Sequence, residues 1–271
     1  MVGRTSAVGI ALTAAILVAG PHAQGNPADR AWRILQDGAA NHDKDTRLAA
    51  LHALGILVKN DRARKIAESK LGDSESEVRS AAADALGQIA LPASVPALKA
   101  AVKTDKESEV VFAATSALFR IGDPSAYQVY YAVLTGQRKT GEPLLESQLD
   151  MLKDPDTLAR IGFETGIGFI PFGGISYKAF KAFRQDNVSP VRAAAAQRLA
   201  TDPDPNSGKA LAAAAADEKW VVRASAISAI ARRGDKSLLP AVEARLDDEE
   251  SVVRFNAAAA VARLSAADKR R

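Results

Sequence analysis

One short pattern returns six times along this chain, and its spacing is 31 to 32 residues everywhere except across one wide gap. The clearest copies read SEVRSAAADALGQIA from position 76, KWVVRASAISAIARRG from position 219 and SVVRFNAAAAVARL from position 251. Aligned on one column, the six copies place Arg47, Arg79, Val111, Arg192, Arg223 and Arg254 in register. Six positions before each stands Asn41, Asp73, Asp105, Asp186, Asp217 or Asp248. A fixed period of this length belongs to supersecondary units that cannot bury their apolar faces alone and must stack on their neighbours.

Within a copy the apolar residues follow the helical period. Val78, Ala82, Ala85, Leu86 and Ile89 fall on one face of a first helix, which the Arg begins. After a break a second apolar run follows, Val95, Leu98 and Val102 in copy two and Leu239, Val242 and Leu246 in copy five. Pro96 and Pro240 share one register position near its start, where a missing N–H costs little. The pattern therefore predicts helical hairpins, the Arg helix first and the Pro helix second. The Ala-rich helices have small side chains, so neighbouring units can approach closely and share a core.

These residues, D-x4-V-R-x2-A-A-x-A-L followed by a helix with an early Pro, resemble the HEAT repeat. The likeness is closest to the short form found in phycobilisome lyases, and it covers residues 31–135 and 186–265. It implies an all-α fold, an α-solenoid of about six hairpins. It implies little about activity, because the family includes scaffolds, lyases, hydroxylases and glycosylases. Val111 and Asn41 depart from the pattern, as do Arg198 and Asp202, which stand where copy two has Ala85 and Ile89. Less regular packing is expected in those copies.

A charged pair at constant spacing invites an acid–base reading. A feature present in nearly every repeat belongs to the repeating fold, however, and not to one site. Asp73, Arg79, Asp105, Asp186, Arg192, Asp217, Arg223, Asp248 and Arg254 are therefore expected to form a structural ladder. In it each Asp caps a helix, and each Arg reaches that Asp or the next.

Residues 1–25 read as a secretory signal peptide, with Arg4 as the basic start, a 14-residue apolar run from Ala7 to Gly20, and small residues allowing cleavage after Ala23 or Gly25. The run is short of the roughly 20 residues that span a bilayer, so a retained membrane anchor is the second choice. Export, to the periplasm or outside the cell, is the expected localisation. The chain has no cysteine, which removes disulfides, thiolate metal sites and a Cys nucleophile from consideration. A net charge of +4 is close to balance and gives no reason to expect nucleic acid as a partner.

The gap from Val111 to Arg192 holds an insertion, placed at 137–185 between repeats 1–3 (26–136) and repeats 4–6 (186–271). It contains Phe163, Phe169, Phe172, Phe180 and Phe183, five of the chain's eight Phe. Its segment IGFIPFGGIS forms a Gly/Phe-rich tip, with Ile167, Phe169, Pro171, Phe172 and Ile175 as candidate interaction residues. Three readings fit it: aromatics sealing the junction between the two halves, a tip docking a partner protein, or a tip dipping into a membrane surface.

Only His22, His42 and His52 are present, too few for the His-Glu sets of the HEAT-like di-iron hydroxylases. No residue marks a chromophore site. Trp220 and Trp32 are expected to pack, Trp32 over the apolar face of the first hairpin, and the acidic run Asp247–Glu250 reads as a solvated loop. The expectation is an exported, non-catalytic scaffold for protein–protein interaction or assembly, without cofactor or metal. A membrane-surface adaptor using the insertion and a lyase-like enzyme are the alternatives.

Overall fold

The computed structural model describes residues 26–127, 130–131 and 188–266. The leader, the 137–185 insertion with its tip, and Asp186 lie outside the described residues. Eleven α-helices follow one another among the residues described: α1 (Pro27–Ala39), α2 (Lys44–Leu54), α3 (Asp61–Glu68), α4 (Ser76–Ile89), α5 (Val95–Thr104), α6 (Ser108–Ile121), α7 (Ser189–Leu199), α8 (Pro205–Ala214), α9 (Trp220–Arg233), α10 (Leu239–Glu243) and α11 (Ser251–Leu264). The fold is an all-α solenoid.

Local chemistry sets the helix ends. Asn26, Asp43 and Asn60 accept hydrogen bonds from the backbone N–H groups of Ala28, Thr46 and Ala63, at 3.0, 2.7 and 3.0 Å, and so start α1, α2 and α3. Pro96 and Pro240 sit in the first turns of α5 and α10. Gly122 and Gly234 end α6 and α9 in the left-handed region, at φ 87° and 74°. Ala90 ends α4 in the same conformation, at φ 55°.

The apolar stripe read from the sequence is the core. Val78, Ala82, Ala85, Leu86 and Ile89 are buried, and so are Leu98, Val242 and Leu246. Burying one Leu or Ile side chain contributes about 1.5–3 kcal/mol. Small side chains let the helices close up: a Cβ on Gly87 of α4 would stand 2.8 Å from the Ala117 Cα of α6.

The hairpin phase differs from the sequence expectation. Of its two neighbours along the chain, an Arg helix with a described predecessor packs on the one before it, α2 on α1, α4 on α3, α6 on α5, α9 on α8 and α11 on α10, and only lightly on the one after. The Asp-bearing turn is thus the tight turn inside a hairpin, and the Pro helix opens the unit. Periodicity cannot reveal this, because a repeat written as first-second or second-first has the same period.

The Arg helices form one row, and its order is not the chain order. α7 packs on α9, α9 on α11, α11 on α1 and α2, α2 on α4, and α4 on α6. Hairpins six and one are neighbours, joined by a seam between the two ends of the chain. In the seam the Phe255 ring of α11 faces Gly38 of α1, where a Cβ would meet Phe255 Cζ at 2.5 Å. Arg263 Nη1 donates to the Ile56 carbonyl at 2.7 Å, and Arg30 pairs with Asp247. Hairpin one is interior in the described row, and Trp32 packs partly buried against the core with the Arg62 guanidinium 4.5 Å above its ring.

Candidate functional site

The charged columns meet between successive hairpins. Arg79 grips Asp105 with Nε and Nη2 at 2.7 and 3.0 Å, and Arg223 grips Asp248 with the same two atoms, both at 2.8 Å. Arg192 pairs with Asp217 through both terminal nitrogens, and Arg47 reaches Asp73 with Nη2 at 3.1 Å. Arg47 Nε is buried without a hydrogen-bond partner. The third guanidinium nitrogen turns back to its own turn, where Arg223 Nη1 donates to the carbonyls of Asp217 and Glu218 at 3.0 Å each. Arg79 does the same with Asp73 and Ser74, and Arg254 with Asp248 and Glu249.

Asp73, Asp105, Asp217 and Asp248 also accept from the backbone N–H two residues on, those of Glu75, Glu107, Lys219 and Glu250. That bond shapes the turn before the helix. It is not the helix cap expected from the sequence: Glu75, Glu107, Lys219 and Glu250 occupy the cap positions and make no side-chain cap bond. The geometry shows in the electrostatics. Burial pushes the Asp105 carboxyl up, but hydrogen bonds from Arg79 and the Glu107 backbone outweigh it and hold the group below the usual carboxylate range. Asp217 is similarly pushed up by burial and held down, on balance, by the Lys219 backbone and Arg192.

The ladder has two gaps. Arg254 has no carboxylate partner among the described residues, since the acceptor column of the next hairpin in space holds Asn41. Val111 has no charge to offer the hairpin beyond it. Rungs thus run within hairpins one to three and within four to six, but not across the seam.

The acidic run is more engaged than a solvated loop, because Asp247 pairs with Arg30 and Asp248 with Arg223. Among the described residues no group of three or more His, Asp or Glu side chains gathers as metal ligands would, and no helix is long and apolar enough to cross a membrane. His52 lies in α2, and burial lowers its pKa to about 4. Trp220 packs partly buried against the core.

Among the described residues, exposed large apolar side chains concentrate at the two ends of the row of Arg helices. Phe119, Tyr127 and Tyr131 are 46%, 60% and 60% exposed at one end, and Val188 and Val191 are 62% and 67% exposed at the other. The aromatics hold one another edge-on: Phe119 lies 5.3 Å from Tyr127 and 5.8 Å from Tyr130, and Phe112 lies 6.3 Å from Tyr130. Ser116 Oγ and the Tyr130 hydroxyl are hydrogen-bonded at 2.9 Å. Sequence reasoning did not single out these residues. Their signal was position, since they flank the wide gap in the repeat.

A family model described as HEAT repeats matches residues 32–119, 64–139 and 177–265, together more than half of the chain. Among solved structures, the complex of CpcE and CpcF of phycocyanin lyase from Nostoc is similar at 20% identity, over 95% of this chain and 100% of that one, with a TM-score of 0.35. Human deoxyhypusine hydroxylase is similar at 21% identity, over 89% and 85% of the two chains, with a TM-score of 0.30. A designed armadillo repeat protein is similar at 18% identity, over 88% and 100%, with a TM-score of 0.28. No curated protein sequence matches the chain. On the strength of the repeat match, the chain belongs to the HEAT-repeat family.

Proposed function

We propose that the protein is an exported, non-catalytic scaffold that binds a protein partner at the aromatic end of its solenoid. The observation that carries the reading is the cluster Phe119, Tyr127 and Tyr131 on α6 and the helical residues that follow it. An exposed apolar patch of this kind is characteristic of interfaces. Phe119 is already braced edge-on by Tyr127 and Tyr130, so ordering these rings on binding costs little. The charged columns are occupied in contacts between repeats, which is consistent with a role in stability and not in catalysis. The charged start, short apolar run and small-residue exit at the N-terminus support export.

The test has two parts. Intact-mass analysis of protein from the native host should give a chain starting after Ala23 or Gly25; a soluble chain that keeps its leader refutes export. A partner captured by the parent protein and then purified should bind a Phe119→Ala/Tyr127→Ala variant at least about tenfold more weakly, by about 1.4 kcal/mol, with the variant's melting temperature nearly unchanged. Unchanged affinity refutes the aromatic end as the docking surface.

A further inference from the structure

Arg120, Arg232 and Arg263 share one register, nine residues after the ladder column, in the last turns of α6, α9 and α11. Arg120 has the Asp84 carboxylate 3.9 Å away. Arg232 and Arg263 pair with no carboxylate among the described residues. Arg232 is exposed, whereas Arg263 is half-buried and its Nη1 donates to the Ile56 carbonyl at 2.7 Å across the seam. The rest of the Arg263 donor fork has no acceptor among the described residues. Burial and, after it, the neighbouring Arg232 charge both lower the Arg263 pKa, and no carboxylate offsets them. Two like charges therefore stand side by side without a counter-charge.

The turn that Arg263 grips adds two features. The Val58 N–H donates to the same Ile56 carbonyl, at 3.1 Å, which sets the Val58 backbone beside the Arg263 guanidinium. Val58 is 49% exposed, and among the described residues it is the large apolar side chain so exposed away from the two ends of the row. Lys59 follows, also exposed, at φ 56°, a left-handed conformation that a residue with a side chain adopts at a cost. Its N–H donates to the Ile89 carbonyl at 2.7 Å. The turn is thus tied to α4 and to α11 while an apolar side chain and a further cation face solvent.

We propose that Arg232, Arg263, Lys59 and Val58 form a binding site for an acidic peptide segment of a protein partner, whose carboxylates pair with the cations while an apolar side chain between them rests on Val58. Charge complementarity selects the occupant. A carboxylate matches the guanidinium fork and supplies the missing counter-charge. The half-buried Arg263 is reached by a side chain that enters beside it and not by the flat surface of a membrane. The bond to Ile56 fixes the Arg263 fork before a ligand arrives, so little ordering is lost on binding. The site lies at the seam, in the middle of the row, and does not depend on the aromatic end.

Fluorescence anisotropy of a labelled Glu-Glu-Leu-Glu-Glu peptide, titrated with the full chain at low salt, tests the site. The parent should bind saturably with a Kd below about 1 mM. Arg232→Glu, at an exposed position, should keep the melting temperature and weaken binding at least about tenfold. Lys103→Glu, the same charge change on α5 away from the seam, should weaken it less than about twofold. Val58→Ser should weaken the leucine peptide and leave a Glu-Glu-Ser-Glu-Glu peptide unaffected. Phe119→Ala/Tyr127→Ala should bind the peptide as the parent does, so that failure here and failure of the aromatic end read separately. The proposal is overturned if the parent does not bind, or if Lys103→Glu or the aromatic variant loses as much affinity as Arg232→Glu. It is also overturned if inorganic phosphate or phosphatidylserine vesicles, at matched charge concentration, displace the peptide.

Discussion

Replacing Gly38 by Ala tests the seam through the sign of its effect. In a helix the change normally gains up to about 1 kcal/mol, because glycine loses more backbone freedom on folding. Gly38 lies in the last turn of α1. Here the new Cβ would overlap Phe255 Cε1, stand 2.5 Å from Phe255 Cζ and lie 3.0 Å from Ala50 Cβ. Phe255 is 3% exposed and Ala50 fully buried, so neither has free volume to retreat into. Overpacking of this kind costs about 1–3 kcal/mol, which exceeds the propensity gain. Gly38→Ala should therefore destabilise, by up to about 2 kcal/mol net. Phe255→Ala alone should cost about 3–5 kcal/mol. In that background the obstruction is gone, and adding Gly38→Ala should stabilise. The double-mutant cycle should show a coupling of about 1–3 kcal/mol. Urea unfolding followed by circular dichroism, with midpoints compared at constant slope, measures all four proteins. A stabilising Gly38→Ala in the parent, or additive effects, would refute the placement of hairpin one beside hairpin six.

Three further outcomes are expected. Asp248→Ala strands Arg223, whose side chain is 8% exposed, and should cost about 3–5 kcal/mol; Arg192→Ala, at a rung whose Arg is 48% exposed, should cost less than about 1 kcal/mol. Equal losses in chemical denaturation would contradict the difference in burial. The folded pKa of His52, about 4, lies below its unfolded value near 6.5, so the unfolded chain takes up the proton first. Its contribution is present above about pH 6.5 and is lost as the pH falls towards 4, so the urea midpoint of His52→Leu should vary less with pH over that window. Ala90→Gly places glycine in a left-handed position that Gly122 and Gly234 occupy in the matching turns. It should raise stability by about 0.5–1 kcal/mol, net of the extra freedom of the unfolded chain, and a lower melting temperature would count against strain at Ala90.

The period, the helical type of each segment, the buried stripe from Val78 to Ile89 and the first-turn prolines were all legible in the sequence. They depend on local geometry: helical spacing, proline's missing N–H and the burial of a continuous apolar face. The Asp and Arg columns were legible as a ladder. Their bonding was not, because an Asp before a helix can cap it or turn the chain, and only the neighbouring hairpin decides which carboxylate meets which guanidinium. Nor could periodicity place the aromatic patch of Phe119, Tyr127 and Tyr131, which lies where α6 ends the row of described Arg helices. The order of the row was the largest decision left to tertiary structure. Ala-rich faces are nearly interchangeable, so linear order says only that consecutive copies can stack. That copy six stands beside copy one shows only in space, where α11 packs on α1 and α2 and Phe255 fits against Gly38. Asn41 and Val111, which read in sequence as imperfect copies, mark in space the two edges where the ladder stops.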